Sequence, residues 1–460
     1  MISFDNYLAP GRRGHLVGIG GVSMSSLAEV LKGMGICVTG SDMSEGSNVE
    51  KLRAHGFTVY HGHSAENIGP EVEFLVRTAA VHDDNPEIIE AHRRGIPVFE
   101  RTQAWGAISK DYQNALCIAG THGKTTTTSM CTHINMAADR DPTVMIGGTL
   151  PLLHSGHRVG KGNTIIMEAC EYYNSFLSFH PTVAVILNVE ADHLDFFKDL
   201  DDVKRSFRAF AERVPEDGCV IANRDDPNTM DAIAGIDRRV ITFGLTPEAD
   251  VYAKDISYLG ENSCFDVMYQ GEKFTDVTLH VPGVHNVKNA LAAAAASIYL
   301  GIRPSAVKYG LAGFNGAGRR FEFKGKFNGA DVFDDYAHHP SELKALLDMV
   351  QSLNYKRTVI VFQPHTYTRT AALFDDFVEQ LRRPDVVLLS EIFAAREKNT
   401  IGISSSMLAE KISGANFYGS FDELENALRS LAQPGDVIVT VGAGDVYRVG
   451  ERLIGDGEGK

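Results

Sequence analysis

Gly120-Thr121-His122-Gly123-Lys124-Thr125-Thr126 is the segment whose residue types and spacing speak most directly of chemistry. An apolar run precedes it and a helical pattern follows, which is the setting a phosphate-binding loop needs. Glycines let backbone N–H groups turn toward phosphate oxygens, and the N-terminal end of the helix adds a favourable dipole. Lys124 is placed to reach β- and γ-phosphates, and the Thr125 hydroxyl to sit on Mg²⁺. The loop is shorter than G-x-x-x-x-G-K-[ST], because the first glycine of that pattern would fall on Ile118. A plain capped helix after a glycine turn would explain the glycines, but not Lys and Thr together after a strand.

Two further strand ends carry ionisable groups. Glu168 closes one strand, with Glu171 three residues on, and Asn188-Val189-Glu190-Ala191-Asp192-His193 follows another. Polar groups at the carboxyl ends of neighbouring parallel strands converge on the crevice above the sheet. Beside a phosphate loop, Glu168 and His193 are therefore expected to hold divalent metal.

Near the start, Gly18-Ile19-Gly20-Gly21-Val22-Ser23 is close to G-x-G-x-x-G, with Ser23 in the third place. Asp42 stands where an acid can bind ribose hydroxyls. This points to a ligand with phosphate and ribose; taken alone it suggests NAD and a nucleotide-dependent oxidoreductase, which leaves Lys124 unexplained. Toward the other end, Asp334-Asp335-Tyr336-Ala337-His338-His339-Pro340-Ser341 and Gln363-Pro364-His365-Thr366-Tyr367-Thr368-Arg369 each link a strand to a helix. They suit a small zwitterion, with Arg369 on the carboxylate and His or Asp groups near the amine. A non-catalytic nucleotide-binding protein is a third reading, disfavoured by the intact Lys124, Glu168 and His193.

The elements behind these motifs alternate. Strands are expected at 15–19, 36–39, 57–61, 74–78 and 97–100, with helices at 25–34, 49–55 and 86–94, the first ended by Gly35. A second unit opens with a strand at 115–119 and a helix to about Met136, then strands at 164–168 and 182–188 and a helix at 201–213. Residues 249–281 alternate apolar and polar, so a small antiparallel insert is expected there, and 286–300 is an Ala-rich helix. Gly313–Arg320 reads as a linker. Beyond it come strands at 330–334, 358–362, 386–389 and 437–441, with helices at 341–353, 371–380 and 421–429. The fold class is α/β, in three units at 1–112, 113–318 and 319–460: a Rossmann-like first unit, a phosphate-loop central unit with a mixed sheet, and a Rossmann-like third unit.

The chain has 460 residues, too many for one core. Hydrophobic residues at 44% and charged residues at 22% are the balance of a globular protein and argue against a disordered or membrane-embedded one. A net charge of −15 makes a poor nucleic-acid binder, because phosphate neutralisation needs basic surface. The six cysteines form no C-x-x-C pair and are expected as free thiols in a reducing compartment. With no apolar h-region at the start and no run long enough to cross a bilayer, the expected location is the cytoplasm, without membrane insertion.

GIGGVSMSSLAEVL, GSD, GTHGKTTTT, NVEADHLD, GVHNVKNALAA, GRRFE, DDYAHHPSE and FQPHTYTRT together resemble, in their order, the Mur ligase family of ATP-dependent amide-bond-forming enzymes of peptidoglycan synthesis. The resemblance covers nearly the whole chain and is to the alanine-adding members; their relatives that reuse murein tripeptide in cell-wall recycling are the alternative. It implies a UDP-sugar domain, an ATP domain and an amino-acid domain, acting on UDP-N-acetylmuramate, L-alanine and ATP with Mg²⁺, as monomer or homodimer. By the same resemblance Gly20, Ser23, Ser41, Asp42 and Thr78 lie on the uridine-nucleotide side. Gly120, Thr121, His122, Gly123, Lys124, Thr125 and Thr126 match the ATP loop, His285, Asn286 and Asn289 the adenine segment, and Arg320 a nucleotide-contacting arginine. Thr125, Glu168 and His193 match the metal sites, and Tyr336, His338, His365 and Arg369 the amino-acid and γ-phosphate side. Lys124, His193, His338 and Arg369 are the expected catalytic set, with His338 first as proton acceptor.

Two departures stand out. Many alanine-adding members read E-A-D-E-S-D where this chain has Glu168-Ala169-Cys170-Glu171-Tyr172-Tyr173, which leaves the metal ligand open between Glu168 and Glu171. Thr366 replaces an arginine of the pattern P-H-R-Y-T-R, so one carboxylate contact is absent or supplied from elsewhere.

Overall fold

The computed structural model describes residues 3–78, 80–260, 262–395 and 397–455. Three sheets follow one another along the chain. The first holds β1 (Arg13–Val17), β2 (Cys37–Asp42), β3 (Thr58–His61), β4 (Phe74–Arg77) and β5 (Val98–Glu100), all parallel in the order β3-β2-β1-β4-β5. Its helices end where the sequence says they should: Gly35, at φ 81°, follows the helix Val22–Gly33.

The second sheet has ten strands, β6 (Asn114–Ala119), β7 (Thr143–Leu150), β8 (Ser155–Arg158), β9 (Thr164–Glu168), β10 (Val183–Ile186), β11 (Cys219–Asn223), β12 (Arg239–Gly244), β13 (Val251–Leu259), β14 (Asn262–Tyr269) and β15 (Glu272–Leu279). Their order is β15-β14-β13-β12-β11-β10-β6-β9-β7-β8. Strands β6, β9, β10 and β11 pair in parallel, and β13–β15 pair antiparallel. The central strands are buried on both faces, which is why they read as unbroken apolar runs. The third sheet holds β16 (Glu322–Phe327), β17 (Ala330–Asp335), β18 (Arg357–Phe362), β19 (Val386–Leu389), β20 (Asn416–Phe417) and β21 (Asp436–Val441), in the order β16-β17-β21-β18-β19-β20.

Residues 251–279 form the expected antiparallel strands, β13–β15, joined to the central sheet by the parallel pairing of β13 with β12. Two expectations need correction. The helix expected at 371–380 is two helices, Tyr367–Ala372 and Phe374–Leu381, meeting at Leu373 (φ −115°), off the helical path. The third sheet also carries an antiparallel edge, β16, whose alternation Gly325 breaks with a bulge at φ 149°. Strands β7, β8, β11, β12 and β20 and the helices Arg101–Ser109, Pro227–Ala232, Pro304–Ala312, Ser405–Lys411 and Tyr447–Gly455 were not expected from the pattern; most are short. All six cysteines are unpaired. Among the described residues no helix is long and apolar enough to cross a membrane.

The first two units share one apolar core, in which Leu16, Phe74 and Trp105 belong to the same cluster as Ala115, Phe176 and Phe207. Gly106 makes the close approach possible, since a Cβ there would stand 2.0 Å from the Ser178 carbonyl oxygen. The third unit keeps two cores of its own, one on each face of its sheet. Its contact with the central unit is built on ion pairs and hydrogen bonds, with Leu346 and Met349 on one wall, and forms the site described next.

Candidate active site between the central and C-terminal units

The phosphate loop folds as its composition requires. Gly120 and Gly123 adopt φ 147° and 83°, and the helix Lys124–Ala137 begins directly behind them. That helix is buried despite its polar sequence. Thr128, Ser129 and Thr132 each donate a hydroxyl to the carbonyl four residues back, at 2.8 Å. Asn188 braces the loop: its side-chain oxygen accepts from the His122 N–H at 2.8 Å.

Lys124 Nζ reaches back over the loop to the carbonyls of Gly120 (2.5 Å) and Thr121 (3.1 Å) and to Glu171 Oε2 (3.0 Å). Burial pushes its pKa down, but Glu171, Cys170 and Glu168 outweigh burial, so the ammonium is held above its ordinary range. Glu168 does something different. Its Oε2 accepts from Thr125 Oγ1 at 3.0 Å and from the Gly147 N–H at 2.8 Å. The two carboxylates left open by the sequence thus have separate places: Glu168 beside the Thr125 hydroxyl, Glu171 beside the lysine and 3.9 Å from His193 Nε2. His193 holds a left-handed backbone (φ 53°) and stacks on Tyr172, ring centroids 4.3 Å apart. Burial lowers its pKa more than Asp192 and Glu171 raise it, so the ring is neutral at pH 7.

Across the junction, β17 and β18 deliver the third unit's polar turns. His338 Nδ1–H donates to the Tyr336 carbonyl at 3.0 Å, which leaves Nε2 as the acceptor. Burial lowers His338 to about 4 and His365 to about 3, so both rings are uncharged near neutrality. Their centroids lie 5.6 Å apart. Arg369 is only 10% exposed and already has an anion: its Nη2 donates to Asp192 Oδ1 at 2.8 Å and Nε at 3.2 Å. Burial alone would raise the Asp192 pKa; Arg369 overrides it and keeps the carboxyl ionised well below the usual range. Thr366, at φ 64°, donates its N–H to the Phe393 carbonyl.

A cavity of about 240 Å³ runs between the two units. Of the residues expected to bind ATP, His122, Gly123, Thr126, His285, Asn286, Asn289 and Arg320 line it. Gly120, Thr121, Lys124 and Thr125 lie beside it in the same loop, with Arg320 Nη2 3.5 Å from Thr125 Oγ1. Sequence reasoning missed Phe243, Asn223, Lys288 and Glu342, which also line the cavity. Phe243 ends a strand the pattern did not reveal, so nothing marked it. Lys288 lay within a quoted motif without a role.

The N-terminal cluster is less uniform. Gly20 and Asp42 come together, the Gly20 N–H donating to Asp42 Oδ2 at 2.8 Å, while Asp42 Oδ1 accepts from Ser44. Thr78 packs against Gly18, where a Cβ would stand 2.6 Å from the Thr78 methyl carbon. Ser23 lies at the junction with the central unit, its hydroxyl 3.6 Å from Met145 Sδ. Ser41 faces inward and donates to buried Glu87 at 2.7 Å, in a cluster with His15 and His63. His63 Nδ1 lies 3.0 Å from Glu87 Oε2, a contact with a buried carboxylate.

Family models match the chain in three consecutive pieces: a Mur ligase family catalytic domain over 13–113, a Mur ligase middle domain over 118–297, and a Mur ligase glutamate ligase domain over 319–444. The UDP-N-acetylmuramate–L-alanine ligase of Agathobacter rectalis is 46% identical over 446 residues, 96% of this chain and 97% of that protein. The enzyme of the same name from Clostridium novyi is 44% identical over 98% of this chain and 99% of its own length. Among solved structures, the UDP-N-acetylmuramate-alanine ligase of Thermotoga maritima superposes with a TM-score of 0.81 at 28% identity, covering 96% of this chain and 98% of that one. A murein peptide ligase from Psychrobacter arcticus shares the fold, with a TM-score of 0.73 at 24% identity over 97% and 98% of the two chains. The chain belongs to the Mur ligase family.

Proposed function

We propose that the chain joins L-alanine to the lactyl carboxylate of UDP-N-acetylmuramate, with ATP converted to ADP and phosphate, in the synthesis of peptidoglycan precursors in the cytoplasm. The observation that carries this reading is the junction itself. A phosphate loop with its lysine faces a buried His–His–Arg cluster suited to a small zwitterion, in a chain similar along its length to alanine ligases. In this reading residues 1–112 hold the UDP-sugar, 113–318 the ATP, and 319–460 the amino acid.

A carboxylate resists attack by an amine, because its charge repels nucleophiles. Transfer of the γ-phosphoryl group to the lactyl carboxylate makes an acyl phosphate and removes that obstacle. Lys124, held cationic beside the loop, offsets charge that builds on the phosphoryl oxygens. Thr125 and Glu168 offer oxygen donors side by side, which fits Mg²⁺; Glu171 with His193 makes a second set. When bound, Mg²⁺ neutralises the phosphate charge. The amine of alanine must then lose a proton. His338 Nε2 is free to accept it, and Glu342 Oε2, 3.4 Å from Nδ1, stabilises the imidazolium that results. Arg369 binds the alanine carboxylate once Asp192 yields it. The amide forms as phosphate leaves, and the third unit shields the acyl phosphate from water.

The test is phosphate release from ATP with UDP-N-acetylmuramate, Mg²⁺, and either L-alanine or murein tripeptide. Release that requires L-alanine supports the reading. Release only with tripeptide moves the chain to the recycling reaction, and release with neither overturns the assignment.

A further inference from the structure

Three groups at the junction have no part in the reaction above as a set. His122 comes from the phosphate loop, Glu190 from the segment after β10, and His339 from the start of the helix Pro340–Ser352 in the third unit. One ring nitrogen of each histidine and one carboxylate oxygen of Glu190 lie within 4.8 Å of one another. The edges already measured are 3.4 Å from His122 Nε2 to Glu190 Oε2 and 3.9 Å from His339 Nδ1 to the same oxygen. Two ligands on one tetrahedral Zn²⁺ stand about 3.4 Å apart, given bonds of about 2.0–2.1 Å. The triangle needs little contraction to close on an ion.

The surroundings of the two rings bear on what the triangle can hold. His339 is 6% exposed and turns Nδ1 toward Glu190 and toward Ser341 Oγ at 2.7 Å, while its Nε2 has no hydrogen-bond partner. His122 Nδ1 lies 3.0 Å from Glu342 Oε1, so the carboxylate takes the Nδ1–H and turns Nε2 toward Glu190. A carboxylate behind a histidine is the outer support that orients zinc ligands. Ser341 Oγ, 2.8 Å from His122 Nε2, completes the wall.

We propose that His122, Glu190 and His339 form a binding site for a borderline-soft divalent cation of the Zn²⁺ class, separate from the Mg²⁺ positions at Thr125 and Glu168. Two imidazoles and one carboxylate suit Zn²⁺ and disfavour Mg²⁺, which seeks oxygen donors. The ligands come from both sides of the junction, so the bound ion ties the third unit to the phosphate loop. A ligase held shut in this way cannot exchange nucleotide, and zinc acts as an inhibitor. Coordination needs an unprotonated nitrogen on each imidazole, so zinc uptake tightens as pH rises.

Binding does not depend on the ligase reading, and the experiment keeps the two apart. The full chain, without nucleotide or amino acid, is titrated with Zn²⁺ against a chromogenic zinc indicator. The proposal expects His339→Asn to remove one equivalent of bound zinc, while Glu168→Gln leaves that equivalent in place. Asn keeps the helix cap that His339 supplies, and circular dichroism checks the fold. Glu190→Gln serves as the second variant and should lose the same equivalent. Unchanged zinc stoichiometry in both variants overturns the proposal, as does loss of that equivalent in Glu168→Gln.

Discussion

The molecule has two junctions of opposite kinds. Between the first and second units the chain buries Trp105, Phe176 and Phe207 in one continuous core, and Gly106 lets a helix touch the Ser178 carbonyl. Between the second and third units it places His122 with Glu342, Asp192 with Arg369, and a cavity of about 240 Å³. Apolar burial gains strength with contact area and has no good half-open state. Ionic contacts can exchange for water or for a ligand's charges at modest cost. The difference divides labour: the first junction fixes the strand before the phosphate loop against the N-terminal unit, and the second, on the proposed function, opens for nucleotide and amino acid.

Four measurements break or sharpen this contrast. The largest effect belongs to the polar junction's chemistry: Lys124→Ala should lower phosphate release by at least about 10²–10³-fold, the scale of one lost charge-stabilising donor. A loss under tenfold would mean that Lys124 is not the cation facing the transferred phosphoryl group. Next comes the apolar junction. Trp105→Ala should cost about 3–5 kcal/mol in urea unfolding, as for a large buried aromatic, and shift the first two units together. Separate transitions for those units would show that the shared core does not couple them.

The third is smaller. Asp192→Asn removes the carboxylate charge from Arg369 and should weaken closure by about 1.5–3 kcal/mol, the range for a charged hydrogen bond. Small-angle scattering of the free chain would then give a larger radius of gyration, while Trp105→Ala leaves the junction's opening unaltered. The fourth is a pH effect. His122 has its pKa raised from 6.5 to about 10 in the closed arrangement, despite burial, by Glu342 and Glu190. Its stabilising contribution is complete below pH 6.5 and is lost as pH rises through about 10. The closed population should fall over that window, and His122→Gln should flatten the profile.

Local pattern revealed most of the elements that carry motifs. Strands β6, β9 and β10 are continuous apolar runs that stop at Gly120, Glu168 and Asn188, and the structure returns them within two residues of their expected limits. What the pattern hid was context. Strand β16 reads E-F-K-G-K-F, and the bulge at Gly325 erases its alternation. Phe243 lies at the end of β12, and only the folded sheet shows that this end opens on the cavity. The placement of Glu168 and Glu171 also needed three dimensions. Glu168 closes β9 and Glu171 lies three residues on, and the choice between Thr125 and Lys124 as neighbour depends on the path of the chain between them. Asp192 was invisible as a partner of Arg369 because 177 residues separate them.

That pairing has a kinetic meaning. On the proposed role of Arg369, the guanidinium is occupied before any amino acid arrives, and the incoming carboxylate competes with an anion that is tethered and cannot diffuse away. The measured affinity for the amino acid is then its intrinsic affinity reduced by the fraction of molecules in which Arg369 is free. On the proposed role of Arg369, capture of the amino acid and release of Asp192 are then a single exchange of anions.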